Sequence, residues 1–155
     1  MFGKRTVLVA LMAAVLVVSA VAVASATDPS GFASVLIGRG QANRSFQVHQ
    51  RKGNDVVVNQ NTIQPAGFSG WHSHPGITVI AVQSGQVTLY SEPIAGGTCR
   101  VRTYTAGQVF LEHPSNEYNA VNTGAAPAVV AVTFFNVPHL GSARIEQTNP
   151  GNCPA

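Results

Sequence analysis

The sequence predicts an all-β fold, a small β-barrel or double-sheet jelly roll, and three observations carry that expectation. From Ser34 onward, short β-prone segments alternate with turn residues at even spacing, the rhythm of barrels and sandwiches. No window of ten or more residues in that region places apolar side chains at helical spacing. Two stretches, Ile77-Thr78-Val79-Ile80-Ala81-Val82 and Val129-Val130-Ala131-Val132-Thr133-Phe134-Phe135, are apolar on both faces. Such strands need cover on both sides, and a closed or two-sheet architecture supplies it while removing exposed edges.

Taken in order, strands are expected at 35–37 and 46–49, separated by Gly38-Arg39-Gly40, and at 56–63, entered through Gly53-Asn54-Asp55 and left through Pro65-Ala66-Gly67. A strand at 70–74 ends at Pro75-Gly76; strands at 77–83 and 86–90 flank Ser84-Gly85. Gly96-Gly97 precedes a strand at 99–104, followed by strands at 108–111, at 118–122 up to Thr123-Gly124, and at 128–135. These breakers either tolerate positive φ or preset a turn. Residues 136–155 are rich in Pro, Gly and Asn without periodicity and read as an irregular tail.

The N-terminus has a different character. Behind Lys4 and Arg5 the chain is almost purely Val, Ala, Leu and Met from Val7 to Ala24, then reads Ala24-Ser25-Ala26-Thr27-Asp28-Pro29. A basic start, an apolar run and a small-residue tripeptide form a signal peptide, with cleavage expected after Ala26 and the domain occupying 27–155. The alternative is a retained anchor, because a run of about 18 apolar residues lies at the lower edge of what spans a bilayer. No Cys stands directly after the run, which argues against a lipid anchor.

With 155 residues, 10% of them charged, 15 Gly and 9 Pro, the chain has room for one domain and is neither disordered, collagen-like nor a coiled coil. Past residue 26 it keeps seven basic and six acidic side chains, and the basic ones are dispersed apart from short pairs. Nucleic acid is therefore not an expected partner. An exported chain matures in an oxidising compartment, so Cys99 and Cys153 are expected to pair, closing a loop of about 55 residues and tying the tail to the body.

The stretch richest in chemistry is Pro65-Ala66-Gly67-Phe68-Ser69-Gly70-Trp71-His72-Ser73-His74-Pro75-Gly76. In a strand, His72 and His74 share one face about 7 Å apart and can converge on one metal ion. Alone, the pair reads first as two surface histidines before a turn. Trp71 falls on the opposite face; together with Phe68, Phe110, Phe134 and Phe135 it is assigned first to core filling, and Trp71 is the aromatic candidate for a ligand mouth. His49 and His139 have no partner at ligand spacing, and Asn43-Arg44-Ser45 fits the N-glycosylation pattern. There is no Gly-x-Ser-x-Gly elbow, no phosphate loop and no well-placed carboxylate pair, which sets hydrolase and kinase-like chemistry aside.

Gly67, His72, His74 and Gly85 resemble the first motif of the cupin superfamily, in which a Gly precedes His-x-His, a Glu and a second Gly. Gly107 and Asn122 resemble the ends of the second, which runs Gly, five residues, Pro-x-Gly, two residues, His, three residues, Asn. The resemblance spans roughly 56–135 and implies a cupin-type barrel with a site at its mouth. It also implies ligands that this chain lacks, since Thr78 (or Val79) stands at the Glu position and Tyr118 at the second-motif His position. By this alignment the site is His72, His74 and Tyr118; Glu112 and His113 rank behind, because Glu112-His113-Pro114 reads as a solvated turn.

Together with the expected signal peptide, the resemblance implies a secreted protein with a degenerate His-x-His site that takes a small ligand or a divalent ion, Mn, Fe, Zn, Ni or Cu. The alternative is a metal-dependent enzyme of oxidoreductase or dioxygenase type. Cupins commonly dimerise through strand edges, which leaves room for a homodimer.

Overall fold

The structure, a computed structural model, describes residues 29–93, 97–151 and Cys153. The expected signal peptide lies outside the described residues. The chain divides into a unit up to Ser34 and a unit Val35–Ala155. Of the first, 29–34 is described, exposed throughout and without strand; the second carries every strand.

Ten strands form two five-stranded sheets, and among the described residues there is no helix. The strands are β1 (Gln41–Ala42), β2 (Asp55–Ile63), β3 (His72–Ser73), β4 (Thr78–Ser84), β5 (Gln86–Ser91), β6 (Arg100–Thr105), β7 (Gln108–Glu112), β8 (Tyr118–Val121), β9 (Ala128–Val137) and β10 (Ile145–Glu146). One sheet runs β1-β7-β4-β9-β2 and the other β10-β3-β8-β5-β6. This double-sheet sandwich is the all-β architecture that the sequence predicts.

Alternation builds the interior. Thr78, Ile80 and Val82 on β4, Phe110 and Glu112 on β7, and Ala128, Val130, Val132 and Phe134 on β9 are all buried. Register keeps them level: Ile80 pairs with Phe110 on one side and Val132 on the other. Val87, Leu89 and Tyr118 close the core from the second sheet. Each Val, Leu, Ile or Phe among them, fully withdrawn from water, contributes about 1.5–3 kcal/mol.

The chain changes sheet between β4 and β5 through the single residue Gly85, which has φ 71° and would set a Cβ 2.7 Å from the Pro127 carbonyl oxygen. Only glycine meets both demands. Gly76 is as tightly placed, since its Cβ would lie 2.0 Å from the Phe135 carbonyl oxygen.

Three expectations need correction. Segments 35–37 and 46–49 form no strands: Val35, Leu36 and Ile37 are 83%, 67% and 52% exposed with no ladder partner. Near the second segment, backbone groups bond the side chain of Asn136 instead, through the His49 carbonyl and the Arg51 amide. The tail is not wholly irregular either, because β10 pairs with β3, Ile145 opposite Ser73 and Glu146 opposite His72. The Cys99–Cys153 disulfide is present, with Cα atoms 5.0 Å apart.

Candidate metal centre

His72 lies on β3 and His74 just beyond it, with Ser73 between them facing away. The short strand is held on one edge by β8 and on the other by β10, so the two imidazoles enter the interior one above the other, centroids 4.8 Å apart. Both are buried, at 6% and 4% exposure. Glu112, the last residue of β7, reaches them from the opposite sheet and is equally buried. Its Oε2 is 2.8 Å from His74 Nε2 and 3.9 Å from His72 Nε2. Metal-ligating atoms of all three residues lie within 4.8 Å of one another.

The outer nitrogens set which ring atoms face the interior. His72 Nδ1 lies 2.9 Å from the Gly70 carbonyl and His74 Nδ1 2.6 Å from the Ala143 carbonyl. A carbonyl can only accept, so each Nδ1 carries the proton and donates it. In a neutral ring, each Nε2 then presents a lone pair toward Glu112. Two lone pairs and a carboxylate facing one another in a buried space repel unless positive charge stands between them, either a proton on Nε2 or a metal cation. Burial lowers the His72 pKa below its ordinary value, with His74 and Arg144 adding to the effect against the pull of Glu112 and the Gly70 carbonyl. That disfavours the protonated ring, and the three donors form a group able to hold a divalent transition ion.

Tyr118, which the motif alignment puts in the ligand set, has its hydroxyl engaged elsewhere. It is the ladder partner of His72, but its ring crosses to the β7–β8 turn, where the hydroxyl accepts the His113 amide (2.9 Å) and the Asn116 side-chain amide (3.4 Å). Burial raises its pKa, which opposes the phenolate that a metal would need. The turn it braces bends at Ser115, φ 67°, where the family motif has glycine. His113 is exposed, outside the cluster. Glu112 is not part of a solvated turn, because strand β7 continues through it and alternation puts it on the Phe110 side, facing in.

The cluster opens on a cavity of about 680 Å³. Ile80, Val87, Phe110, Val130, Val132 and Phe134 wall it, the Phe134 ring lying 5.1 Å from that of His74. Asn59, Asn61, Phe68 and Arg144 line it as well, and the tail supplies Gly141–Arg144. Phe68 is 65% exposed. Trp71, the aromatic expected at a mouth, is buried on the other face of β3 and does not line the cavity.

The sequence matches no family model and no curated protein. Solved structures do match. An uncharacterised conserved protein with a double-stranded β-helix domain from Klebsiella pneumoniae gives a TM-score of 0.51 at 21% identity, over 69% of this chain and 99% of its own. Oxalate decarboxylases give 0.50, that of Lactobacillus farciminis at 17% identity (64% of this chain, 33% of its own) and that of Bacillus subtilis at 19% (65% and 30%). These likenesses, with the two-sheet topology, show the cupin fold, and at such identities they show the fold alone. The chain spans at most half the length of the enzymes it resembles.

Proposed function

We propose that this is a secreted protein that binds a divalent transition metal through His72 Nε2, His74 Nε2 and Glu112, and a small organic molecule in the adjoining cavity. One observation carries the reading: both imidazoles have their protons committed to backbone carbonyls, so that two buried lone pairs meet a buried carboxylate. Three protein ligands leave coordination positions open on the cavity side. The walls around them exclude water from an apolar guest, and Asn59 and Asn61 offer amides to a polar end.

Mn(II) heads the ions to be tried, because the Bacillus subtilis oxalate decarboxylase holds Mn(II) centres. A bound divalent ion would supply Lewis acidity toward an oxygen ligand entering from the cavity. A second reading, turnover of that guest by an oxidoreductase, is favoured by the two-His, one-carboxylate composition, which is the donor set of many open-sited metal oxygenases. The disulfide supports maturation in an oxidising compartment, in line with export and cleavage after Ala26.

The test is the metal content of the purified protein, by elemental mass spectrometry, beside a His72→Ala/His74→Ala variant. Near-stoichiometric metal in the first, absent from the second, is expected. A folded protein that neither carries nor takes up Mn(II), Fe(II), Zn(II), Ni(II) or Cu(II) would overturn the reading.

A further inference from the structure

The interior of the sandwich is divided. Across the second sheet one row of ladder partners runs Arg100, Ser91, Tyr118, His72. Tyr118 stands in that row as a partition, since its hydroxyl reaches the β7–β8 turn at His113. His72 lines the metal cavity on one side, and on the other side Tyr118 lines a separate groove of about 500 Å³.

We propose that this groove is a second binding site, for a small, multiply charged oxyanion bearing phosphate, sulfate or carboxylate groups. Arg100 and Arg102, two apart on β6, project from one face of the strand, and Arg44, just beyond β1, reaches the groove from the edge of the other sheet. None of the three guanidinium groups makes a hydrogen bond or ion pair with any described residue, whereas that of Arg144, elsewhere, is held by both oxygens of Glu146 at 2.6 and 2.9 Å. Among the described residues, the one carboxylate lining the groove is Glu92, which pairs with none of the three arginines and leaves a positive excess. Forked guanidiniums around one hollow suit an oxyanion with several oxygens.

The floor points the same way. Tyr118 is 5% exposed, and its oxygen accepts two N–H groups while its own proton has no acceptor among the described residues. A buried hydroxyl with an unspent donor at the base of a cationic groove is not a feature of a merely solvated arginine face. His113 adds a further ring to the lining. The rim is stapled as well, because Arg100 follows Cys99 and the sulfurs of both half-cystines lie 3.6 and 3.7 Å from the Ser91 carbonyl.

The test is calorimetric titration of the full chain, in chloride buffer, with inorganic phosphate, sulfate and citrate in separate runs. At least one should bind once per chain with a sub-millimolar dissociation constant, and the one that does distinguishes phosphate, sulfate and carboxylate chemistry. Arg100→Gln/Arg102→Gln should weaken it about tenfold or more, and Tyr118→Phe should weaken it several-fold. Arg44→Gln, outside any strand, repeats the arginine test should the paired variant fail to fold. His72→Ala should leave it intact. Failure of all three anions to bind, binding indifferent to the arginine replacements, or binding abolished by His72→Ala would each overturn the proposal. The last would place the anion in the metal cavity instead.

Discussion

Thr78 and Glu112 are direct partners across the ladder between β4 and β7, both buried and both facing the interior. Thr78 occupies the position where the cupin motif places its metal-binding Glu, and the carboxylate that reaches the histidines comes from the residue opposite. Partners in an antiparallel pair have Cβ atoms about 4.5–5.5 Å apart. A carboxylate can therefore pass from one strand to its neighbour and still meet the same two imidazoles. The cost is visible at Thr78, whose buried hydroxyl has no hydrogen-bond partner among the described residues.

Moving the carboxylate back should preserve the site. Glu112→Gln alone is expected to lower metal affinity at least about 100-fold, the upper end of what even supporting residues cost, whereas Thr78→Glu/Glu112→Thr should recover most of it. Competition against a chelator of known affinity measures both. If Glu112→Gln binds metal as tightly as the parent, Glu112 is not a ligand.

Tyr118 should prove dispensable for the ion. Tyr118→Phe keeps the ring and removes only the hydroxyl, so metal content should not change, while stability falls by about 1 kcal/mol as the His113 and Asn116 donors lose their acceptor. Burial raises the Tyr118 pKa, so in alkaline titration one tyrosine should ionise above the ordinary range, and Tyr118→Phe should remove that step. The native pKa exceeds the unfolded one, so its contribution to stability is complete below about pH 10 and is lost as pH climbs through the native value. Loss of metal in Tyr118→Phe would restore the phenol to the ligand set.

Much of this was legible before any fold was known. The interior faces of β4 and β9 follow from strict alternation, and the His-x-His pair follows from the two-residue strand period. Glu112 was legible in principle, since counting alternate residues inward along 108–112 places it beside Phe110. What hid it was the adjacent His113-Pro114, a turn signal that began one residue later than it read. β10 was hidden for a different reason: two residues carry no periodicity, and Ile145 and Glu146 become a strand only because β3 offers them a free edge. The Ala143 carbonyl that orients His74 is 69 residues away in sequence, and no local pattern announces such a contact.

The tail's role gives a third prediction. Cys99→Ser/Cys153→Ser removes a cross-link spanning 54 residues, worth about 4 kcal/mol on loop entropy. The denaturation midpoint should fall accordingly. The tail that loses its staple also carries the Ala143 carbonyl, so metal affinity should drop in the still-folded variant, as it does when an orienting partner of a ligating imidazole is lost. Unchanged affinity in the folded variant would show that β10 alone holds His74 in place.

Acid should act on the same cluster. Burial is the main reason that the His72 pKa lies below its ordinary 6.5, so in the metal-free protein the unfolded chain takes up this proton before the native one does. Stability is therefore complete above about pH 6.5 and declines as pH falls from there toward the depressed native value. Urea midpoints of the metal-free protein should fall between about pH 7 and pH 5, and His72→Asn should flatten that slope. In the metal-loaded protein, protons compete with the ion for Nε2, so metal should be released as the pH is lowered. A midpoint constant over this interval, or the same slope in His72→Asn, would mean that His72 is not held neutral by its burial.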